Sequence, residues 1–301
     1  MSRQKIIVIL GQTATGKSDL AVKLAKKFGG EVVSADSRQV YRGLNLGTGK
    51  ITRREMRGVP HHLLDIADPR RYFSVAQYQK LANRAVKNIL SREKLPIICG
   101  GTGLYIDAAV SGKIFPEVKP DEKLRKRLNG KTTKELHEML QKLDPRRAKE
   151  IDKNNPRRLV RAIEIARMLG RVPAIKYKPL SYDALKIGLR PSEKELRQKI
   201  HNRLIERMKK GMIAEAYRLH NKGLSWKRME ELGLEYRYLA KYLNNEITKK
   251  EMLNKLETEI WRYAKRQKIW FKKDKKIYWV DPFNNSLPDK AAEITRHFLG
   301  A

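Results

Sequence analysis

Residues 11–18 read Gly-Gln-Thr-Ala-Thr-Gly-Lys-Ser. An apolar run, Ile6 to Leu10, leads into them, and an amphipathic one, Leu20, Ala21, Leu24, Ala25 and Phe28, leads away. The pattern G-x-x-x-x-G-K-[ST] thus stands between a strand and a helix, and a chain of this length matches it by chance roughly once in a hundred. The residue types follow from holding phosphate. Gly11 and Gly16 let the backbone turn its N–H groups inward, Gln12, Thr13, Ala14 and Thr15 carry them, and the next helix adds its positive end. Lys17 brings a compact charge to the outer phosphate oxygens, and the Ser18 hydroxyl is a candidate ligand for Mg²⁺. The loop does not say to what molecule the phosphates belong.

Composition narrows the class. With 301 residues and 41% hydrophobic content, the chain can build one large domain or a core with an insertion. No apolar stretch approaches the ~18 residues of a membrane span. Met1 to Lys5 runs straight into the first strand, so a cytoplasmic protein without a membrane partner is expected. The single cysteine, Cys99, excludes a disulfide framework or a structural zinc site and reads as a small buried residue. Sixty-seven Lys and Arg against 33 Asp and Glu give a formal net charge of +34. Such a balance repels itself and attracts polyanions, nucleic acid above all; an enzyme of small molecules does not need it.

Along the chain, the apolar runs Ile6 to Leu10, Glu31 to Ser34 and Pro96 to Cys99 alternate with helical patterns. Alternation of this kind predicts an α/β fold with a parallel sheet flanked by helices, a P-loop NTPase-like core with its ligands at the C-terminal strand ends. Asp36 and Thr102 fall just past two such ends. Between residues 119 and 178 the strands vanish, helical periods take over, and 19 Lys and Arg face 8 Asp and Glu. An all-helical insertion over 119–178 is therefore expected in a core of 1–118 and 179–301. Lys186 to Leu189 reads as a returning strand, followed by a long helix from about Glu193 to Gly211 and a helical C-terminal region. In that region, residues 259–276 hold eight basic residues against two acids, interleaved with Trp261, Tyr263, Trp270 and Phe271. The mixture suits RNA, but Trp261, Ala264 and Lys268 would share one helix face, and at least half of these aromatics are expected in the core.

Ser34-Ala35-Asp36-Ser37-Arg38-Gln39-Val40-Tyr41 follows the second strand, and Gly100-Gly101-Thr102-Gly103-Leu104-Tyr105 follows the third. With the P-loop, the Gly47-Thr48-Gly49-Lys50 and His61-His62-Leu63-Leu64-Asp65 runs, Asn154 to Glu164, Arg203 with Met208 and Gly211, and Tyr263 to Gln267, they occur in the order and spacing of one family. Over nearly its whole length the chain resembles the tRNA dimethylallyltransferases (tRNA isopentenyltransferases). A lone cysteine leaves no room for the zinc finger of eukaryotic members, so the resemblance is to the bacterial type.

The resemblance implies that the N6 amine of the adenosine immediately 3′ of the tRNA anticodon attacks dimethylallyl diphosphate and expels diphosphate. By the family pattern Asp36 takes the proton, and a fixed carboxylate beside a phosphate loop suits that task. Lys17, the loop amides, Mg²⁺ at Ser18, Thr102 and Arg203 would then stabilise the departing diphosphate. In the family the flipped base is held by the run Asp36, Ser37, Arg38 and Gln39 with Thr102, and the insertion clasps the anticodon stem-loop. Arg157, Arg158 and Arg161 lie at the matching stretch of this insertion, and three arginines so spaced cannot all face inward. The chain departs from the family at Arg157, where Gln is usual, at Lys199, where Arg is usual, and at Gly233-Leu234-Glu235-Tyr236. A P-loop small-molecule kinase and an adenylate isopentenyltransferase are the alternatives; neither explains a basic helical insertion. A monomer is expected.

Overall fold

The computed structural model describes residues 3–180 and 182–300. Two compact units are distinguished: Met1–Ser111 with Leu180–Ala301, and Gly112–Pro179.

The first unit opens with β1 (Gln4–Gly11), α1 (Lys17–Phe28), β2 (Gly30–Ser34), α2 (Arg53–Met56), β3 (His61–His62), α3 (Val75–Ser91), β4 (Leu95–Gly100) and α4 (Gly103–Val110). The second unit carries β5 (Lys113–Ile114), α5 (Glu122–Leu128), α6 (Thr133–Leu143), α7 (Pro145–Glu150), α8 (Pro156–Leu169) and β6 (Lys176–Tyr177). The chain then completes the first unit with β7 (Tyr182–Leu189), α9 (Glu193–Lys209), α10 (Met212–Asn221), α11 (Trp226–Leu232), α12 (Leu234–Leu243), α13 (Lys249–Phe271), β8 (Ile277–Val280) and α14 (Leu287–Leu299).

The six strands of the first unit form one parallel sheet in the order β3-β2-β4-β1-β7-β8. Every described residue of β1 from Ile6 to Leu10 is buried, so both faces of this central strand are covered. Ile7 and Ile9 join Leu20, Leu24, Ile97, Ile187 and Ala291 in the core that α1 and α14 close on one face. After β1 the chain moves to one side of it and later crosses to β7 on the other. The loop following β1 therefore lies at the switch point, where parallel sheets open a crevice. Gly11 pairs with Leu189 there, at φ 145°, and a Cβ on it would lie 2.7 Å from the Leu189 carbonyl oxygen, which only glycine avoids.

The second unit folds around Leu124, Leu128, Leu136, Leu140, Leu159 and Ile163. It is helical but not entirely so. Lys113 and Ile114 pair antiparallel with Tyr177 and Lys176, and Lys178 N–H donates to the Gly112 carbonyl, so the unit begins at 112 rather than 119. Two-residue strands are too short to show a period of two. A second correction concerns the C-terminal region, where Ile277-Tyr-Trp-Val280 extends the sheet as its edge strand. Its β-branched and aromatic content is what such a strand needs. None of the described helices is long and apolar enough to cross a membrane.

Candidate active site

The P-loop forms the floor of a cavity of about 380 Å³ in the first unit, and Asp36, Gln39, Thr48, Gly49, Arg203 and Gln267 stand around it. Ala14 takes φ 61° and Gly16 φ 80°, the left-handed turns that aim successive N–H groups into one concavity. Gly16 also starts α1, whose first turn points its free N–H groups the same way. Lys17 donates to the Gln12 carbonyl, folding its ammonium back over the loop. Its pKa falls from 10.5 to about 8, chiefly through burial, with Cys99 and Asp36 opposing the fall and Arg203 adding to it. Cys99 is buried beneath the loop, and that burial pushes its thiol up to about 12.

Asp36 lies two residues past β2. Its Oδ1 accepts from Arg38 N–H at 2.8 Å and Gln39 N–H at 3.2 Å, which fixes the carboxylate rigidly and makes an anchor of the run 36–39. Oδ2 takes part in neither bond, on a residue that lines the cavity. Thr102 Oγ1 accepts from Ser37 N–H at 3.0 Å and donates to Ser37 Oγ at 3.4 Å, its side chain also meets that of Tyr263, which lines the cavity, and the residue caps α4 with its backbone alone. Together with the bond from Thr102 N–H to Ala35 O at 3.2 Å, this ties Thr102 to the start of the run 36–39.

Arg203 comes from α9, whose start is set by the reciprocal capping of Ser192 and Glu195. Its Nη2 donates to the Gly49 carbonyl at 3.0 Å, and burial draws its pKa down. Gln39 Nε2 reaches the Thr48 and Gly49 carbonyls, each at 3.4 Å. The loop through Gly49 thus ties the run after β2 to α9.

The sequence marks Tyr263 to Gln267 as part of the family run and 259–276 as a mixture suited to RNA without giving any of these residues a place at the P-loop, yet this helix, α13, clamps that loop. Gln267 Oε1 accepts from Thr13 N–H at 2.8 Å, its Nε2 donates to the Gly101 carbonyl at 2.8 Å, and Gln12 Nε2 donates to the Ala264 carbonyl at 3.1 Å. Of the aromatics on α13, Trp261 and Phe271 are buried in the core, Trp270 is anchored on Asp107 at 3.1 Å, and Tyr263 lines the cavity.

Arg157, Arg158 and Arg161 all lie on α8 of the second unit. Arg161 spends its guanidinium on Glu164 at 3.1 Å and on the Val118 carbonyl at 2.8 Å. Arg158 is exposed with Asp152 at 3.6 Å, and Arg157 is exposed.

The model of the IPP transferase family matches residues 39–274. The chain belongs to the IPP transferase family. Its relatives agree along nearly their whole length. A tRNA dimethylallyltransferase of Anoxybacillus flavithermus is 36% identical, with 98% of this chain and 96% of the relative covered. A tRNA dimethylallyltransferase 2 of Treponema denticola is 43% identical over 91% and 95%. Among solved structures, the full-length tRNA isopentenylpyrophosphate transferase of Bacillus halodurans superposes with a TM-score of 0.73 at 35% identity, covering 99% of this chain and 96% of its own. A eukaryotic dimethylallyltransferase acting on tRNA gives 0.82 at 25% identity, covering 99% and 80%. The parallel sheet, P-loop and flanking helices of this transferase are thus those of its family.

Proposed function

We infer that this IPP transferase moves a dimethylallyl group from dimethylallyl diphosphate to N6 of the adenosine immediately 3′ of the anticodon in tRNA. The observation that carries the reading is the pairing, in one cavity, of a phosphate cradle with a carboxylate that two backbone N–H groups hold by its Oδ1. The cradle grips the leaving diphosphate, so the loop serves carbon–oxygen cleavage rather than nucleotide hydrolysis. N6 forms a bond to the allylic carbon, the bond from that carbon to the bridging oxygen breaks, and the N6 proton passes to Asp36. An adenine amine is a weak nucleophile, so the rate depends on stabilising the charge gathering on the diphosphate. Lys17, the P-loop and Arg203, which line the cavity, would supply that stabilisation, with Thr102 bonded to Ser37 and Tyr263 beside them. Residues 36–39 meet the base.

The donor set also fits Mg²⁺. This ion is generally held by one or two protein oxygens together with substrate phosphates and water, and Ser18, which carries a hydroxyl, lines the cavity. Bound there with the donor, Mg²⁺ would neutralise diphosphate charge. Flipping the base out of the anticodon loop costs a few kcal/mol, which phosphate contacts offset. Arg157 and Arg158 on the second unit supply such contacts.

Incubation with labelled dimethylallyl diphosphate, Mg²⁺ and tRNA, AMP or ATP tests the reading. Label is expected in tRNA alone. Label in AMP or ATP would make the protein an adenylate isopentenyltransferase, and phosphate transfer from ATP would make it a kinase.

A further inference from the structure

Tyr236, in the run Gly233-Leu234-Glu235-Tyr236, meets a buried carboxylate that the mechanism does not use. Glu215 of α10 is 6% exposed. Its Oε2 accepts from Asn45 N–H at 3.2 Å and Leu46 N–H at 2.8 Å, and its Oε1 from Gly47 N–H at 3.0 Å and the Tyr236 hydroxyl at 2.7 Å. Three successive N–H groups converging on one anion form a cup that elsewhere holds a ligand; here the protein fills it. On the carbonyl side, Arg207 Nη1 donates to Leu46 O at 3.2 Å, to Gly47 O at 3.0 Å and to Glu235 Oε1 at 2.9 Å. Gly47 lies against the Tyr236 ring, where a Cβ would come within 2.6 Å of Cζ. Both edges of the 45–47 backbone are therefore gripped. The next two residues, Thr48 and Gly49, supply the carbonyls that receive Gln39 and Arg203.

We propose that Glu215 is a positioning residue for prenyl transfer: with Tyr236 it fixes the 45–47 backbone, and through Thr48 and Gly49 it sets Gln39 toward the base and Arg203 toward the leaving group. This role rests on the function inferred above. Glu215 touches neither reacting group, and the P-loop is held separately by Gln267.

The test is the single-turnover rate of transfer from saturating dimethylallyl diphosphate to tRNA. It is measured with Glu215→Gln, Tyr236→Phe and a core variant remote from the loop, Val86→Ala. Displacing Gln39 and Arg203 by a fraction of an ångström lowers the Glu215→Gln rate by about 10- to 100-fold and the Tyr236→Phe rate by about three- to tenfold. Donor affinity stays within about threefold, since the cradle is intact. Val86→Ala loses thermal stability and keeps its rate. Rates within twofold of wild type in Tyr236→Phe, or in a folded Glu215→Gln, overturn the proposal, as does a Val86→Ala rate that falls with its melting temperature. Absence of transfer by the wild-type protein would instead overturn the function, and this role with it.

Discussion

At Lys17 burial and ligand charge act in opposite directions. Below about pH 8 both the folded and unfolded chains carry this proton, whereas between about 8 and 10.5 only the unfolded chain does. The ligand-free fold therefore gains stability from this residue as pH rises through that window. A diphosphate reverses the preference by stabilising the ammonium. Donor affinity should fall as pH rises above about 8, and binding at pH 8 should take up protons. Titration calorimetry in two buffers of unlike ionisation enthalpy measures that uptake; equal heats would deny it. Asp36 acts at a different moment. Asp36→Ala should lower the single-turnover rate by about two to four orders of magnitude, as for a lost general base, with donor affinity nearly intact. A near-normal rate would remove Asp36 from the chemistry. Both residues were legible in the sequence, because a phosphate loop is a contiguous motif and Asp36 follows a strand in its family run. Thr102 was legible in place, but its bonds to Ser37 and to the cavity-lining Tyr263 join residues distant in the chain, and only coordinates show them.

Helix α13 shows how an element can serve a site without carrying a reacting group. Gln267 joins the loop after β1 to the loop after β4 with two hydrogen bonds 2.8 Å long. Gln267→Leu preserves volume but strands the Thr13 N–H and the Gly101 carbonyl, at a cost of about 1–3 kcal/mol for each buried group left unpaired. Urea denaturation should show the loss, and donor affinity should weaken because Thr13 belongs to the cradle. Unchanged affinity would mean that the P-loop holds its shape unaided. Long elements could be read from periodicity: β1, β2, β4, β7 and α9 lie where the apolar patterns place them. Elements completed by partners distant in the chain could not. β3 and the β5–β6 pair have two residues to a strand, and β8 is hidden beside a basic helix. The Glu215 network joins residues about 170 positions apart in sequence, and no local pattern announces it.

Across the whole molecule, a charge of +34 asks which basic groups are free to meet phosphate. On α8, Arg161 is committed to Glu164 and Val118, whereas Arg157 and Arg158 are exposed. Arg157→Ala should therefore reduce the log–log salt slope of tRNA binding by about 0.7 to 0.9, while Arg161→Ala should chiefly destabilise the second unit, leaving Glu164 short of a partner. Filter binding from low to moderate salt separates the two; equal slopes for Arg157→Ala and wild type would make this face a solvated surface. The central claim is that the P-loop cavity holds a leaving diphosphate while tRNA presents one adenosine to Asp36. Its most direct test uses labelled dimethylallyl diphosphate, Mg²⁺ and two transcripts of one tRNA, differing only in adenosine or guanosine immediately 3′ of the anticodon. Label is expected in the adenosine transcript, with one diphosphate released per group transferred, and none in the guanosine transcript. Equal labelling of both, or transfer without diphosphate release, would contradict it.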